Sequence, residues 1–165
     1  MWEQEMKLDE VREIRTKTTV FFGIGAISKM EDIAKEYAGK GIHKVAVLTG
    51  KSAYKKTGAW EVVTKALKRY DMAYVLFDKV TPNPNLVDCD EAVKLAYNVG
   101  AQAAIGIGGE SPIDIAKTVA IRYNYPQQTT ANLYESRFIP THALLIVAIN
   151  TTHGTEVNEF SGQAV

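Results

Sequence analysis

The chain has 165 residues, of which 46% are apolar, with 19 Lys and Arg balanced by 19 Asp and Glu. That size and composition suit one soluble domain with a core of its own, and a balanced charge offers no basic face for the phosphates of a nucleic acid. The lone cysteine, Cys89, excludes an internal disulfide and a cysteine metal site, no apolar run is long enough to span a membrane, and the polar, acidic start Met1-Trp2-Glu3-Gln4-Glu5 is unlike a signal peptide, so a cytoplasmic protein is expected.

Met1 to Arg15 is charged and loosely periodic and reads as an arm. Thr16 to Gly23 is β-branched and aromatic and predicts a strand. Ile27, Met30, Ile33, Ala34 and Tyr37 recur at helical spacing until Gly39 and Gly41 stop them. Lys44 to Gly50 is a continuous apolar run closed by glycine, the mark of a strand buried on both faces. A helix follows with the stripe Trp60, Val63, Ala66, Leu67 and Tyr70, and then a strand from Ala73 to Phe77. Pro82-Asn83-Pro84-Asn85 breaks the chain. Asp88, Asp90 and Glu91 suit the first turn of a helix whose expected inner face is Val87, Ala92, Val93, Ala96 and Val99, ended by Gly100. An apolar strand from Ala103 runs into Gly108-Gly109, and a helix opens behind it with Ser111 as expected N-cap, Pro112 at N1 and Asp114 at N3. After a polar loop from Tyr123 to Thr141, Ala143 to Ile149 predicts one more fully buried strand.

Alternating helices and apolar strands predict a single α/β domain over 1–165, with residues 1–15 as an arm. The expected architecture is a doubly wound, mostly parallel, Rossmann-like sheet with helices on both faces. Ligands of such sheets bind outside the carboxyl ends of the strands. That rule selects the loops Gly50 to Tyr54, Thr81 to Asn85, Gly108 to Asp114 and Asn150 to Thr155. The glycine turn before a helix N-terminus suits an anion such as a phosphate; taken alone it fits a merely well-capped turn equally well.

The order of three of these motifs carries a resemblance. Pro82-Asn83-Pro84, then Gly108-Gly109-Glu110-Ser111-Pro112-Ile113-Asp114-Ile115-Ala116-Lys117, then Thr151-Thr152-His153-Gly154-Thr155-Glu156-Val157 resemble the dinucleotide-binding motifs of the iron-containing (group III) alcohol dehydrogenases. Phe22-Gly23-Ile24-Gly25-Ala26 is similar to that family's opening, so the likeness runs from about Thr16 onward. It implies a nicotinamide cofactor whose diphosphate lies on Gly108, Gly109, Glu110 and Ser111. Asp114 would lie towards the nicotinamide, Asn83 would border the cofactor, and Thr151, Thr152 and Thr155 would line the adenosine side. Each has a plainer alternative: Asp114 a helix-start residue, Asn83 a turn former, the threonines strand-end residues. Where NAD-preferring relatives place a carboxylate for the adenine ribose, this chain has Gly50, followed by Lys51, Ser52, Lys55 and Lys56. A small residue among cations and a hydroxyl favours NADP over NAD, unless the lysines are only a solvated helix start.

Three departures from the family stand out. Glu110 occupies a place usually held by glycine, and a carboxylate about 4 Å from a phosphate charge costs about 1 kcal/mol in water and about 4 at the effective dielectric of a protein surface. The threonine motif is one Gly-Thr step shorter than in many relatives. The family's helical second half, whose aspartate and three histidines bind iron or zinc, is absent, and His43, His142 and His153 are too scattered to replace it. The resemblance therefore implies the N-terminal dinucleotide-binding domain of a metal-dependent enzyme that interconverts a small alcohol and an aldehyde by hydride transfer, inactive as this chain alone and associating as a homodimer. Alternatives are a stand-alone nucleotide-binding or interaction module, or a relative of glycerol dehydrogenase or dehydroquinate synthase.

Overall fold

A computed structural model describes residues 12–15 and 18–152, leaving aside the side chains of 12–15 and Ala53. In chain order its elements are β1 (Arg12–Arg15), β2 (Thr19–Phe22), a 3-10 turn (Ala26–Lys29), α1 (Met30–Gly39), β3 (Lys44–Gly50), α2 (Ala53–Lys56), α3 (Ala59–Arg69), β4 (Ala73–Val80), α4 (Leu86–Asn98), β5 (Ala103–Gly108), α5 (Glu110–Arg122), α6 (Thr130–Tyr134) and β6 (Leu145–Asn150). Four strands form a parallel sheet in the order β4-β3-β5-β6. The first predicted strand does not join it. Thr19–Phe22 instead pairs antiparallel with Arg12–Arg15, part of the stretch read as an arm. Four residues with one apolar side chain among them carry too little pattern to announce a strand.

Alternation along the buried strands sends side chains into two cores. Val45, Val47, Ala103, Ile105 and Ile107 meet Met30, Ala34 and Tyr37 of α1, Tyr54 of α2, and Val63, Ala66 and Leu67 of α3. Ala46, Leu48 and Ala104 meet Cys89, Ala92, Val93 and Ala96 of α4 and Ile115, Ala116, Val119 and Ala120 of α5 on the other face. Helices therefore cover both faces, as a doubly wound sheet requires.

The inner face of α4 is displaced from the expected one. Val87 is 73% exposed and Val99 is 36% exposed, whereas Cys89, Ala92, Val93 and Ala96 are buried. Positions 89, 92, 93 and 96 follow the i, i+3, i+4, i+7 rule, and Val87 falls on the opposite side of the helix. Asn85 caps this helix, its Oδ1 accepting the Asp88 N–H at 2.8 Å. β6 is half-buried where full burial was expected, because it is a sheet edge among the described residues. β4 is three residues longer than predicted, running through Asp78 and Lys79 to Val80.

The loop after α5 is pinned by polar contacts. Thr130 N–H and Oγ1 both donate to Asp90 Oδ1, at 3.0 and 2.6 Å. Arg122, 5% exposed, donates to the Tyr125 carbonyl and lies 3.6 Å from the Asp90 carboxylate. The Tyr125 hydroxyl meets the Thr141 hydroxyl at 3.2 Å and accepts the N–H groups of Thr141 and His142 at 2.7 and 3.0 Å; led by the Thr141 contact, these bonds hold its phenol below the ordinary value.

β5 and α5 pack closely across a glycine. A Cβ on Gly106 would stand 3.0 Å from the Ala116 Cβ, the Ile113 Cα and the Pro112 carbonyl oxygen. Two of those three atoms are backbone, so a side chain there moves the helix off the strand. Gly106→Ala is expected to destabilise the chain by about 1–3 kcal/mol. Urea unfolding of the two proteins reads this directly, and an unchanged midpoint would show that α5 has room to shift.

Candidate functional site

The strand order fixes where a ligand crevice opens. The chain leaves β3 for β4 on one side and returns to β5 on the other side of β3. Connections diverge at β3 and β5, so the crevice lies outside their carboxyl ends. Gly50 closes β3 opposite Val80, and Gly108 closes β5 opposite Asn150. Of the four loops singled out from the sequence, those after Gly50 and Gly108 flank this point. Thr151 and Thr152 follow one strand along, and Asn83 lies beyond the outer strand β4.

The floor beside β5 is bare. A Cβ on Gly108, at φ 147°, would stand 2.8 Å from the Pro112 Cγ, and one on Gly109 would stand 3.1 Å from the Thr152 Cγ2. Only glycine leaves this passage open, letting a ligand approach the backbone itself. Below it the fully buried Thr49 donates its hydroxyl to the Ile107 carbonyl at 2.9 Å, tying β3 to β5.

α5 begins two residues before the expected place. Gly109 is the N-cap and Glu110 the first helical residue, so Ser111 stands at N2, Pro112 at N3 and Asp114 beyond the first turn. Ser-Pro imitates a cap and N1 pair, but proline is tolerated throughout the first turn because its missing N–H has no intrahelical partner there. No side chain caps α5. The N–H groups of Gly109, Glu110 and Ser111 are consequently left for a ligand, at the positive end of the helix dipole.

The charged residues divide accordingly. Glu110 is exposed at the mouth and has no cation partner among the described residues. Asp114 pairs with Lys117 at 3.0 Å, with both side chains partly exposed. Lys51, Ser52, Lys55 and Lys56 are exposed on the opposite lip, and the Lys55 ammonium stands 5.5 Å from the ring centre of the fully buried Tyr54. Asn83 is exposed and left-handed, at φ 55°, a conformation that asparagine tolerates. Thr151 donates its N–H to the Gly108 carbonyl at 2.9 Å. Thr155, His153 and the shortened threonine motif beyond Thr152 lie outside the described residues.

Two residues that only bounded the selected loops have structural roles that the sequence did not assign. Tyr54 buries its whole side chain, and Asn150 accepts two hydrogen bonds from Thr152. An aromatic after a polar turn has no helical stripe to reveal it. Asn150 was read as the start of a loop and is the last residue of β6.

Among the described residues no three His, Cys, Asp or Glu gather to hold a metal ion. Burial, reinforced by Asp90, Asp88 and Asp114, pushes the Cys89 thiol up to about 11, which leaves it protonated and inert. No helix among the described residues is long and apolar enough to cross a membrane. The arrangement offers backbone donors, a bare floor and flanking cations, chemistry that can hold an extended anion.

Known proteins share both the sequence and the architecture. Residues 17–164 match the family described as iron-containing alcohol dehydrogenase. The long-chain primary alcohol dehydrogenase AdhA of Thermoanaerobacter ethanolicus is 48% identical over 163 residues, covering 98% of this chain and 41% of that protein. Lactaldehyde reductase of Escherichia coli K12 is 32% identical over 139 residues, covering 83% of this chain and 35% of its own length. The crystal structure of the NADH-dependent butanol dehydrogenase A of Thermotoga maritima superposes with a TM-score of 0.74 at 31% identity, over 87% of this chain and 35% of that one. The chain thus spans about two fifths or less of the relatives it matches. With the ordered motifs, the parallel sheet and the family match all falling on the same residues, the chain belongs to the iron-containing alcohol dehydrogenase family.

Proposed function

We propose that this chain forms the nicotinamide-dinucleotide-holding part of an enzyme that interconverts small alcohols and aldehydes by hydride transfer. The observation that carries the reading is the uncapped N-terminus of α5 above the bare glycine floor, at the switch point of a sheet whose family is that of alcohol dehydrogenases. Gly108, Gly109, Glu110 and Ser111 hold the diphosphate through backbone N–H groups. Thr151 and Thr152, with Thr155, line the adenosine side, Asp114 and Asn83 border the rest of the cofactor, and Gly50, Lys51 and Ser52 face the adenine ribose. When bound, the nicotinamide supplies the acceptor or donor of hydride. The chain's own contribution is to fix that ring's position by gripping the diphosphate and to keep water from the floor.

The reading includes NADP in preference to NAD, supported by Gly50 where a carboxylate would repel a 2′-phosphate and by Lys51, Lys55 and Lys56 nearby. It includes a cytoplasmic homodimer, supported by the lone, buried Cys89 and by the antiparallel pair β1–β2, which stands outside the parallel sheet and carries an exposed Phe22.

Fluorescence titration of the purified chain with NADPH and NADH tests the reading: saturable binding is expected, and its absence for both would overturn it. Gly50→Asp is expected to weaken NADPH at least about tenfold while sparing NADH, since the new carboxylate opposes only the 2′-phosphate. The substitution is sterically mild, its Cβ meeting only the Val80 carbonyl at 3.4 Å. Glu110→Gln removes a charge that faces the diphosphate site, so it should tighten either dinucleotide about fivefold or more. An unchanged dissociation constant would mean that the Glu110 carboxylate is turned to solvent in the complex.

A further inference from the structure

Asn150 ends β6 as the register partner of Gly108. Parallel partners present their side chains to the same face, and the Cβ that Gly108 lacks would point at Pro112 of α5. The Asn150 side chain therefore stands on the α5 face of the sheet, beside the uncapped helix start. Its two ends can be told apart chemically. Oδ1 accepts the Thr152 backbone N–H at 3.0 Å and the Thr152 hydroxyl at 2.9 Å. A backbone N–H can only donate, so the atom it meets is the oxygen and the other end is the amide NH2. No acceptor among the described residues takes that NH2, and the residue is exposed. The Thr152 methyl lies against Gly109, 3.1 Å from where a Cβ would be, so the turn that orients Asn150 also abuts the N-cap of α5.

We propose that Asn150 is a ligand-binding residue of the anion site: its Nδ2 donates to a phosphate oxygen of the dinucleotide held by the N–H groups of Gly109, Glu110 and Ser111. The inference rests on the dinucleotide reading above. It accounts for a deficit in the helix start, because Pro112 at N3 removes one of the donors that a first turn would present. A side-chain amide on the Pro112 side restores a donor there. Oδ1, occupied by Thr152, keeps the amide from turning over and offering its oxygen to the phosphate.

The test uses the chain with NADPH and ADP as probes, reading dissociation constants by calorimetry and stability by urea unfolding. Asn150→Ala removes both functions and is expected to weaken both probes about three- to tenfold. Asn150→Asp keeps an acceptor for both Thr152 bonds and replaces the donor by a carboxylate oxygen. It is expected to bind worse than Asn150→Ala while unfolding at the wild-type midpoint, and to remain worse in 1 M salt, where screening acts over about 3 Å and only contact repulsion survives. If Asn150→Asp binds like wild type, or recovers to the level of Asn150→Ala in high salt, Asn150 only shapes the Thr152 turn and the proposal is overturned. If the wild-type chain binds neither probe, the dinucleotide reading fails and takes this one with it.

Discussion

The contact on which the rest of the molecule depends is the seating of α5 against β5 across Gly106 and Gly108. At both positions a Cβ would collide with the helix, at 3.0 Å and 2.8 Å. A helix this close to its strand brings Ile113 and Ala116 into the core on one side of the contact. It also places the helix start directly over the end of β5. Packing and site are thus one feature. Gly108 belongs to both: with Gly106 it lets the helix close on the strand, and with Gly109 it leaves the floor of the crevice bare.

Around that contact, the strand ends are fixed by single hydrogen bonds between neighbouring elements. Thr49 Oγ1 reaches Ile107, and the Thr151 N–H reaches Gly108. Gln102 does the same work at the opposite end, its Oε1 accepting the N–H groups of His43 and Lys44 at 2.8 and 3.1 Å. These bonds hold β3, β5 and β6 level, so the loops beyond Gly50, Gly108 and Asn150 share one rim. A crevice between two loops needs that levelling, because a slip of one residue in a parallel pair would turn each side chain to the other face. The loop from Tyr123 to Thr141 is held separately, by Asp90, Arg122 and Thr130.

The buried strands were legible because nothing competes with a continuous apolar run: Val45 to Leu48 and Ala103 to Ile107 are strands in the structure as in the sequence. The loops at the carboxyl ends of the strands were legible as an ordered set, since a parallel sheet sends each of them to the same end. What escaped was whatever depended on a single backbone angle or a single long-range partner. A glycine N-cap has no side chain to announce it, so Gly109 was passed over for Ser111. Val87 was misassigned because an apolar residue just inside a helix start looks like part of the stripe until the phase of Cys89, Ala92 and Val93 is known. The α6 turn depends on Asp90, forty residues away in sequence, and no local pattern records that bond.

Glu110 shows how one residue serves two states in opposite ways. In the free protein α5 has no side-chain cap, and a carboxylate at its first position stabilises the dipole by about 0.3–1 kcal/mol. With an anion on the same N–H groups, that charge becomes a repulsion of similar or larger size. The helix start is therefore provided with a negative charge of its own, which a ligand must outweigh. Lys51, Lys55 and Lys56 stand on the other lip, so under the proposed reading an anion would gain its favourable charge from the loop after β3 and its hydrogen bonds from the loop after β5. Such a division makes affinity depend on both lips at once. A ligand short enough to touch only the α5 start meets the repulsion without the compensation, whereas one long enough to span the crevice meets both. The charge pattern thus favours an extended dinucleotide over a lone phosphate, which is the same preference that the bare glycine floor expresses in shape.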